Sequence, residues 1–507
     1  MYCWLPSHHL ISIAATTTST LPNWSPQPPK WSAEERSLLP QETTQPPDIT
    51  LPTLLSQSDS FPRPFPIDSG RCKKLKTSVD ETILERNINS AYPILHENIL
   101  HLFARFILHK RKNGNSIEKE LYNNLDVLTF VDRLLTKRAA TFMGKRDSWT
   151  LLNNKKGSKN WESIGTLDQK PPLVLKDCLS YEEIKLSAFL SVSSYTYFVN
   201  VGDRKNFAVF NEEREGIQDE GIIMGIIGPR MVKDEVMEYQ ELVITKRQNT
   251  KSNGYGKGNS PNIHSFFASF YEEDCLEYKD ALEKQKLPAN SQRYTSLKNG
   301  DLLDNYVYYK RLIFSMDTLF VEANQRAVER NTTAYVHVVG IGLGVWKKSP
   351  CQNKLFMDSC GRRIQLLGKH LHSVSDICFA YINHDACLTF KHGDVVPIEG
   401  HPQGGIKLHM YKRGPHSRLT GHDKDKLLVV SYAWDGNALP GNEFWNKKLG
   451  SSGDSAAASS TQIAELHNPF INPKVVASNL RVVVGGKVVG FGEYLEKVNR
   501  GEKRKRD

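Results

Sequence analysis

Cysteine is sparse, with eight in 507 residues and no CxxC pair among them. That argues against a disulfide scaffold and a zinc ribbon, and fits buried free thiols in a reducing compartment. No apolar run approaches the ~20 residues needed to cross a bilayer. The weak apolar patch at Leu10–Ala15 has no basic flank of the kind a secretory signal carries. No HExxH occurs and no segment recurs at a fixed period. Basic patches interleaved with aromatics are also missing, so nucleic acid is not an expected partner. The net charge of +10 owes much to short runs, Lys73, Lys74 and Lys76 and then Lys503–Arg506. The terminal run suggests an import signal and a cytoplasmic or nuclear location. The expectation is a soluble intracellular protein with no membrane partner.

Composition divides what is present. Residues 1–70 hold twelve of the 25 prolines and show no sustained periodicity. They are expected to be a disordered tail, with too little apolar surface to offset chain entropy. Residues 71–150 read as a helical module. Thr77–Asn113 carries apolar residues at helical spacing, with Pro93 expected to kink or split the helix, and Ile117–Phe142 continues in the same style. Residues 151–170 read as a linker, 171–500 as an α/β domain and 501–507 as a basic tail. Within the α/β domain, strands are expected at Ile222–Ile227, Met237–Thr245, Tyr335–Val339 and Asp376–Ile382. Helices are expected at Asp301–Arg330 and near Gln352–His370. Arg481–Gly490 reads as a hairpin with Gly-Gly at its turn. Alternating strands and helices predict a three-layer fold with a mixed sheet.

Two stretches carry the candidate chemistry. Leu427–Tyr432 is a continuous apolar run, as in a strand buried on both faces. It leads into Asp435, Gly436, Asn437, Gly441, Asn442 and Glu443, then Asp454 and a small-residue helix start. Upstream, the strand at Tyr335–Val339 runs into Gly340, Gly342 and Gly344, followed by Trp346. Glycines after buried strands let backbone N–H groups approach phosphate oxygens, and such ligands sit outside the carboxyl ends of the strands. Carboxylates and asparagines nearby supply acid–base groups and partners for sugar hydroxyls. Glu443 and Asp454 are the candidate catalytic residues; Asp435, Gly436, Asn437, Gly441, Asn442, Gly340, Gly342, Gly344 and Trp346 are the candidate ligand-binding residues. Phe444 and Trp445 are placed to stack on a ring. No metal or other cofactor is expected. His392, His401, His409, His416 and His422 cluster in sequence but match no common zinc spacing.

Asp435-Gly436-Asn437, Pro440–Trp445 and Ser452-Gly453-Asp454, with the upstream blocks Gly225–Arg230, Met237–Gln240, Gln248–Thr250 and Val336–Trp346, resemble a little-characterised domain family. That family is similar to the macrodomain and poly(ADP-ribose) glycohydrolase superfamily. The resemblance covers roughly residues 175–490 and implies a macrodomain-like α/β fold that binds ADP-ribose or a related nucleotide-sugar. It also implies hydrolysis of an ADP-ribosyl linkage and an ADP-ribosylated protein as partner. In that scheme Gly340–Gly344 holds the diphosphate, Asn437 and Asn442 fix ribose hydroxyls, and Glu443 or Asp454 serves as acid or base. Two departures stand out: the two loops occur in reversed order along the chain, and Thr461-Gln462-Ile463 stands where the glycohydrolases carry tandem glutamates. Two alternatives stand beside it: a non-catalytic protein-interaction module, and a metal-assisted hydrolase built on His392–His422.

Overall fold

The computed structural model describes residues 21–259 and 261–506, with side chains described through Arg500. Ten strands, numbered here in chain order, form one mixed sheet. They are β1 Tyr92–His96, β2 Ser191–Tyr197, β3 Glu220–Ile226, β4 Ala334–Val338, β5 Val374–Phe379, β6 Val395–Pro397, β7 Gly405–His409, β8 Leu427–Ala433, β9 Arg481–Val484 and β10 Lys487–Gly490. Their spatial order is β6-β7-β5-β4-β8-β3-β2-β1-β9-β10. β7, β5, β4, β8 and β3 run parallel, β2 is antiparallel to both of its neighbours, and β9–β10 is the expected hairpin. Gly485 and Gly486 take φ of +56° and +75° at its turn, which glycine adopts without steric cost.

The five parallel strands are apolar because both faces are covered. All but the last residue of β8 are buried, as the continuous run Leu427–Tyr432 predicts. Four helices frame the sheet and the site: α1 Glu97–Asn113, α2 Tyr181–Ser187, α3 Asn305–Glu329 and α4 Gln352–Leu367. α3 begins where the Asp304 side chain accepts from the Tyr306 and Val307 N–H groups, an N-cap. It crosses the sheet and touches β1, β3, β4, β5, β8, β9 and β10. Almost every side of it is buried, so it reads in sequence as long and apolar rather than amphipathic.

Several expectations are corrected. Thr77–Asn113 is split at Pro93, as one of the two expected outcomes, but by a strand rather than a bare break. A helix ends at Asn89, β1 follows with Pro93 inside it, and α1 starts at Glu97. Proline disfavours helical backbone at the residue before it, so Tyr92 is extended and the apolar run continues as a strand. The expected strand over Met237–Thr245 is a short helix, Tyr239–Leu242, followed by the two-residue strand Val243–Ile244. Within 151–170, read as a linker, Trp161 is buried and donates to the Leu179 carbonyl at 3.0 Å. Residues 1–20 of the expected tail lie outside the described residues. Residues 21–70 are packed: Trp31, Leu38, Leu51, Leu54 and Phe61 join a core cluster that extends to Leu495. The Trp31 indole lies 3.2 Å from the Tyr494 hydroxyl, and Lys474 pairs with Asp48 at 3.0 Å. This stretch has no core of its own; its apolar side chains are buried by a surface that the later sequence builds.

Glu322 on α3 ties the segments together. Its buried carboxylate accepts from the Tyr92 hydroxyl at 2.8 Å, the Ser193 hydroxyl at 2.6 Å and Arg326 Nε at 2.7 Å. Removing it strands a buried guanidinium. Glu322→Ala is expected to destabilise the protein by about 3–5 kcal/mol in urea unfolding. A loss below about 1 kcal/mol would show that the network is not a structural tie.

Candidate active site at the carboxyl edge of the sheet

β4, β8 and β3 are neighbours and parallel, so the loops that follow them leave the sheet at one edge. These are Gly340–Gly344 after β4, Asp435–Asn442 after β8, and Gly228-Pro229-Arg230 after β3. The two loops expected from sequence to face one crevice are therefore adjacent, and a third joins them. Gly342 takes φ +73° against Pro229, and a Cβ on Gly228 would stand 2.3 Å from the Gly342 nitrogen. Only glycine fits that contact. Gly340 adjoins Leu343 and Ile382, and Gly344 faces open space.

The β8 loop is fixed from below. Gly436 packs on α2, where a Cβ would come 3.1 Å from the Ile184 carbonyl, and Ser187 donates to the Gly436 carbonyl. Gly441, at φ +88°, turns the chain so that the N–H groups of Gly441 and Asn442 both donate to Asp454, at 2.8 and 3.0 Å. Asp454 is the second residue of helix α5, Gly453–Ala458, and Ser452 supplies the N-cap. Asp454 thus spans two parts of the loop and is not the cap, a role its position would also suit. Glu443 lies on a 3₁₀ turn, half-buried, and accepts from the Ser452 hydroxyl at 2.6 Å.

These placements bring Asp435, Glu443 and Asp454 together, with oxygens within 4.8 Å of one another. Among the described residues these are the acids close enough to share one cation, whether a metal ion, a proton or an organic cation. Like charges this close raise each other's pKa. Burial, then the Glu443 carboxylate, pushes Asp435 up to about 7, against the pull of Arg230, Asn442 and Arg138. Burial, with Asp435 and Glu443 adding to it, holds Asp454 well above the usual carboxylate range.

Asn442 does not face the crevice. Its amide donates to Asp435 and, at 2.9 Å, to the Phe142 carbonyl, and it accepts from the Phe142 N–H at 2.8 Å. Its capacity is used in positioning Asp435. Asn437 is the opposite case: its amide is 1% exposed, with neither polar atom hydrogen-bonded. Phe444 and Trp445 are buried too, with Trp445 against Phe61 and Phe65, so neither is free to stack on a ligand. Trp346 is half-buried, its ring 6.0 Å from the Arg230 guanidinium.

Two arginines escaped the sequence reading. Arg138 comes from the stretch read as a separate helical module. The next residue, Ala139, donates to the Asn437 carbonyl at 3.1 Å and accepts from Leu439 at 3.0 Å. The Arg138 guanidinium lies 4.0 Å over the Trp434 ring and donates to the Ser187 hydroxyl at 2.8 Å. Its charge faces Asp435 and Asp454. Nothing in the sequence marks it, since Ser187 is 49 residues away and Asp435 is 297. Arg230 pairs with buried Asp147 at 3.0 Å and opposes the rise in Asp435. It lies in the quoted block Gly225–Arg230.

The histidines of 392–422 do not meet at one point, although the His392 and His409 rings lie 5.9 Å apart. His401 Nε2 lies 3.1 Å from the Val374 carbonyl, His409 Nε2 2.8 Å from Asp376, and His416 stacks on Phe198 at 4.1 Å. Among the described residues they form no metal-binding group. A cleft elsewhere is lined in part by Glu241, Glu273 and Asp304, but each is ion-paired, with Lys185, Lys310 and Arg293 respectively.

The family model described as ADP-ribosylhydrolase MavL-like matches residues 52–497. The chain belongs to the MavL-like ADP-ribosylhydrolase family. It is similar to two Drosophila melanogaster proteins, ADP-ribosylarginine hydrolase CG2909 and ADP-ribosylarginine hydrolase CG3568. The first is 39% identical over 463 residues, 89% of this chain and 90% of the relative. The second is 39% identical over 465 residues, 89% of each chain. The expected kinship is corrected to this extent: the match is to an ADP-ribosylhydrolase family, not to the macrodomains, and ADP-ribose is the common ground. The match begins at residue 52, within the stretch whose order the sequence did not reveal.

The shift of Asp435 has a consequence in this MavL-like chain. Its pKa of about 7 in the fold lies above the ordinary Asp value. The folded state therefore holds the proton longer, and stability falls as pH rises from about 4 through 7. Asp435→Asn is expected to remove on the order of 3 kcal/mol from that fall, measured by urea unfolding at pH 5 and pH 8. Parallel pH profiles for the two proteins would contradict it.

Proposed function

We propose that this member of the family hydrolyses the N-glycosidic bond between ADP-ribose and an arginine side chain, with ADP-ribosylated proteins as substrates. The observation that carries the reading is the trio Asp435, Glu443 and Asp454, with oxygens within 4.8 Å of one another. Three mutually repelling carboxylates are most stable with a cation among them, and a guanidinium offers planar donors that match carboxylates. The arginine hydrolase activity in the names of both Drosophila relatives supports the same acceptor.

The chemistry follows from placement. Water attacks the anomeric carbon of the ribose and the C–N bond breaks; its electron pair passes to the guanidine nitrogen, which takes the proton held by Asp435, and the proton lost by water, passed on from Glu443, restores Asp435. Glu443 is the least buried of the three and is oriented by Ser452, so it is the general base that takes the proton from water. Asp435 holds a proton near neutral pH and is the general acid that gives it to the leaving nitrogen. Asp454, with its oxygens on the Gly441 and Asn442 N–H groups, keeps the loop in register. Asn437 supplies the free amide for a ribose hydroxyl, and the backbone at Gly340–Gly344 holds the diphosphate.

Glu443→Gln is expected to lower kcat on an ADP-ribosylarginine peptide by about 10²-fold or more while calorimetric binding of ADP-ribose persists. Wild-type protein that neither releases ADP-ribose from the peptide nor binds it at millimolar concentration would overturn the reading. A second outcome concerns the acceptor. A serine-linked ADP-ribosyl peptide lacks the guanidinium and is expected to turn over at least about tenfold more slowly; equal rates would remove the role given to the carboxylates.

A further inference from the structure

Four neighbouring parallel strands, β5, β4, β8 and β3, end at the edge that holds the site. The loops after β4, β8 and β3 have been given roles, and the loop after β5 has none. Two residues beyond β5 stands Tyr381, at φ +60° and 57% exposed. A bulky aromatic residue seldom adopts the left-handed region, and strain of this kind persists where the surroundings enforce it. The ring lies outside the hydrophobic core. Its hydroxyl lies 3.3 Å from Asp203.

The position of Tyr381 follows from the sheet. β5 and β8 flank β4 on opposite sides, so the glycine loop lies between Tyr381 and the carboxylates. The next residue, Ile382, comes within 3.3 Å of where a Gly340 Cβ would stand. The Asp203 segment closes the outer wall. Arg204 donates to the Ser451 carbonyl at 2.5 Å, and a Cβ on Gly450 would stand 3.5 Å from the Phe207 ring. Phe207 also has a positive φ, +47°, and is 56% exposed. One loop therefore links the rim near α5 to Tyr381.

ADP-ribose is a linear ligand, with reacting ribose, diphosphate, second ribose and purine in that order. Reacting ribose at the carboxylates and diphosphate at Gly340–Gly344 put the purine beyond the glycine loop, on the β5 side. We propose that Tyr381 is the stacking platform for the purine base of the substrate, a specificity-determining residue remote from the bond that breaks. The proposal rests on the hydrolase reading above. An exposed aromatic face gives a base a sequence-tolerant stacking surface.

The test uses the full chain and an ADP-ribosylarginine peptide, with AMP and ribose 5-phosphate as competitors. Tyr381→Ala is expected to raise KM about tenfold with kcat within about twofold. It should weaken inhibition by AMP about as much and leave inhibition by ribose 5-phosphate unchanged. Tyr381→Phe, which keeps the ring and loses the Asp203 contact, should behave as wild type. Equal weakening of both competitors would overturn the proposal in favour of a general loop defect. So would an unchanged KM, or wild-type protein that AMP does not inhibit. Wild-type protein inactive on the peptide would instead sink the hydrolase reading itself, and the subsite with it.

Discussion

Burial of Asp435 and Asp454 beside half-buried Glu443 is the constraint around which this region of the protein is arranged. Three carboxylates with oxygens within 4.8 Å would separate if the chain allowed it. Two backbone N–H groups hold Asp454, the Asn442 amide holds Asp435, and Ser452 holds Glu443. Asn442 is in turn clamped by the backbone of Phe142, so the acids rest on a segment nearly 300 residues upstream. Arg138 and Arg230 bring positive charge to bear on Asp435 without filling the space among the acids by an ion pair.

The same logic explains the weight of the surrounding scaffold. A loop with three buried or half-buried acids is costly, and rigid elements must fix it. α2 touches the loop at Gly436, β8 and β3 set its root, and the Pro-rich N-terminal stretch braces its far side. There Phe61 and Phe65 pack on Trp445, and Arg63 donates to the Trp445 carbonyl at 3.2 Å. These residues never approach the carboxylates, yet they hold the turn that carries Glu443. The family match over residues 52–497 includes this brace.

Much of the site was legible because it is local. Apolar run, glycine-bearing loop and acids follow one another within Leu427–Asp454, so the strand, the loop and the candidate carboxylates could be read directly. The pairing with Gly340–Gly344 was legible as a pattern, since two loops of one kind followed two buried strands. Individual roles were less visible. Asn442 looks like a sugar-binding residue by type, and only its bonds to Phe142 and Asp435 show it to be a positioning group. Phe444 and Trp445 look like stacking residues, but both are buried, Trp445 under the N-terminal Phe61 and Phe65. Pro93 read as a kink or break in a helix because periodicity alone does not distinguish a buried strand from a buried helix turn.

Sequence by itself determined the elements whose information is short-range. These are the buried parallel strands, the long helix after Asp304, the hairpin at Gly485-Gly486 and the acid-rich loop after β8. Hydrophobic runs, caps and turn glycines act within a few residues, so their outcome is written in contiguous stretches. Tertiary structure decided which acids meet, which amides remain free and where Arg138, Arg230 and Tyr381 stand relative to them. It also decided that residues 21–70, a proline-rich stretch without a core of its own, are packed, because the surface that buries them comes from the rest of the chain. Burial and charge proximity are properties of the assembled fold, and they lift Asp435 and Asp454 out of the ordinary carboxylate range.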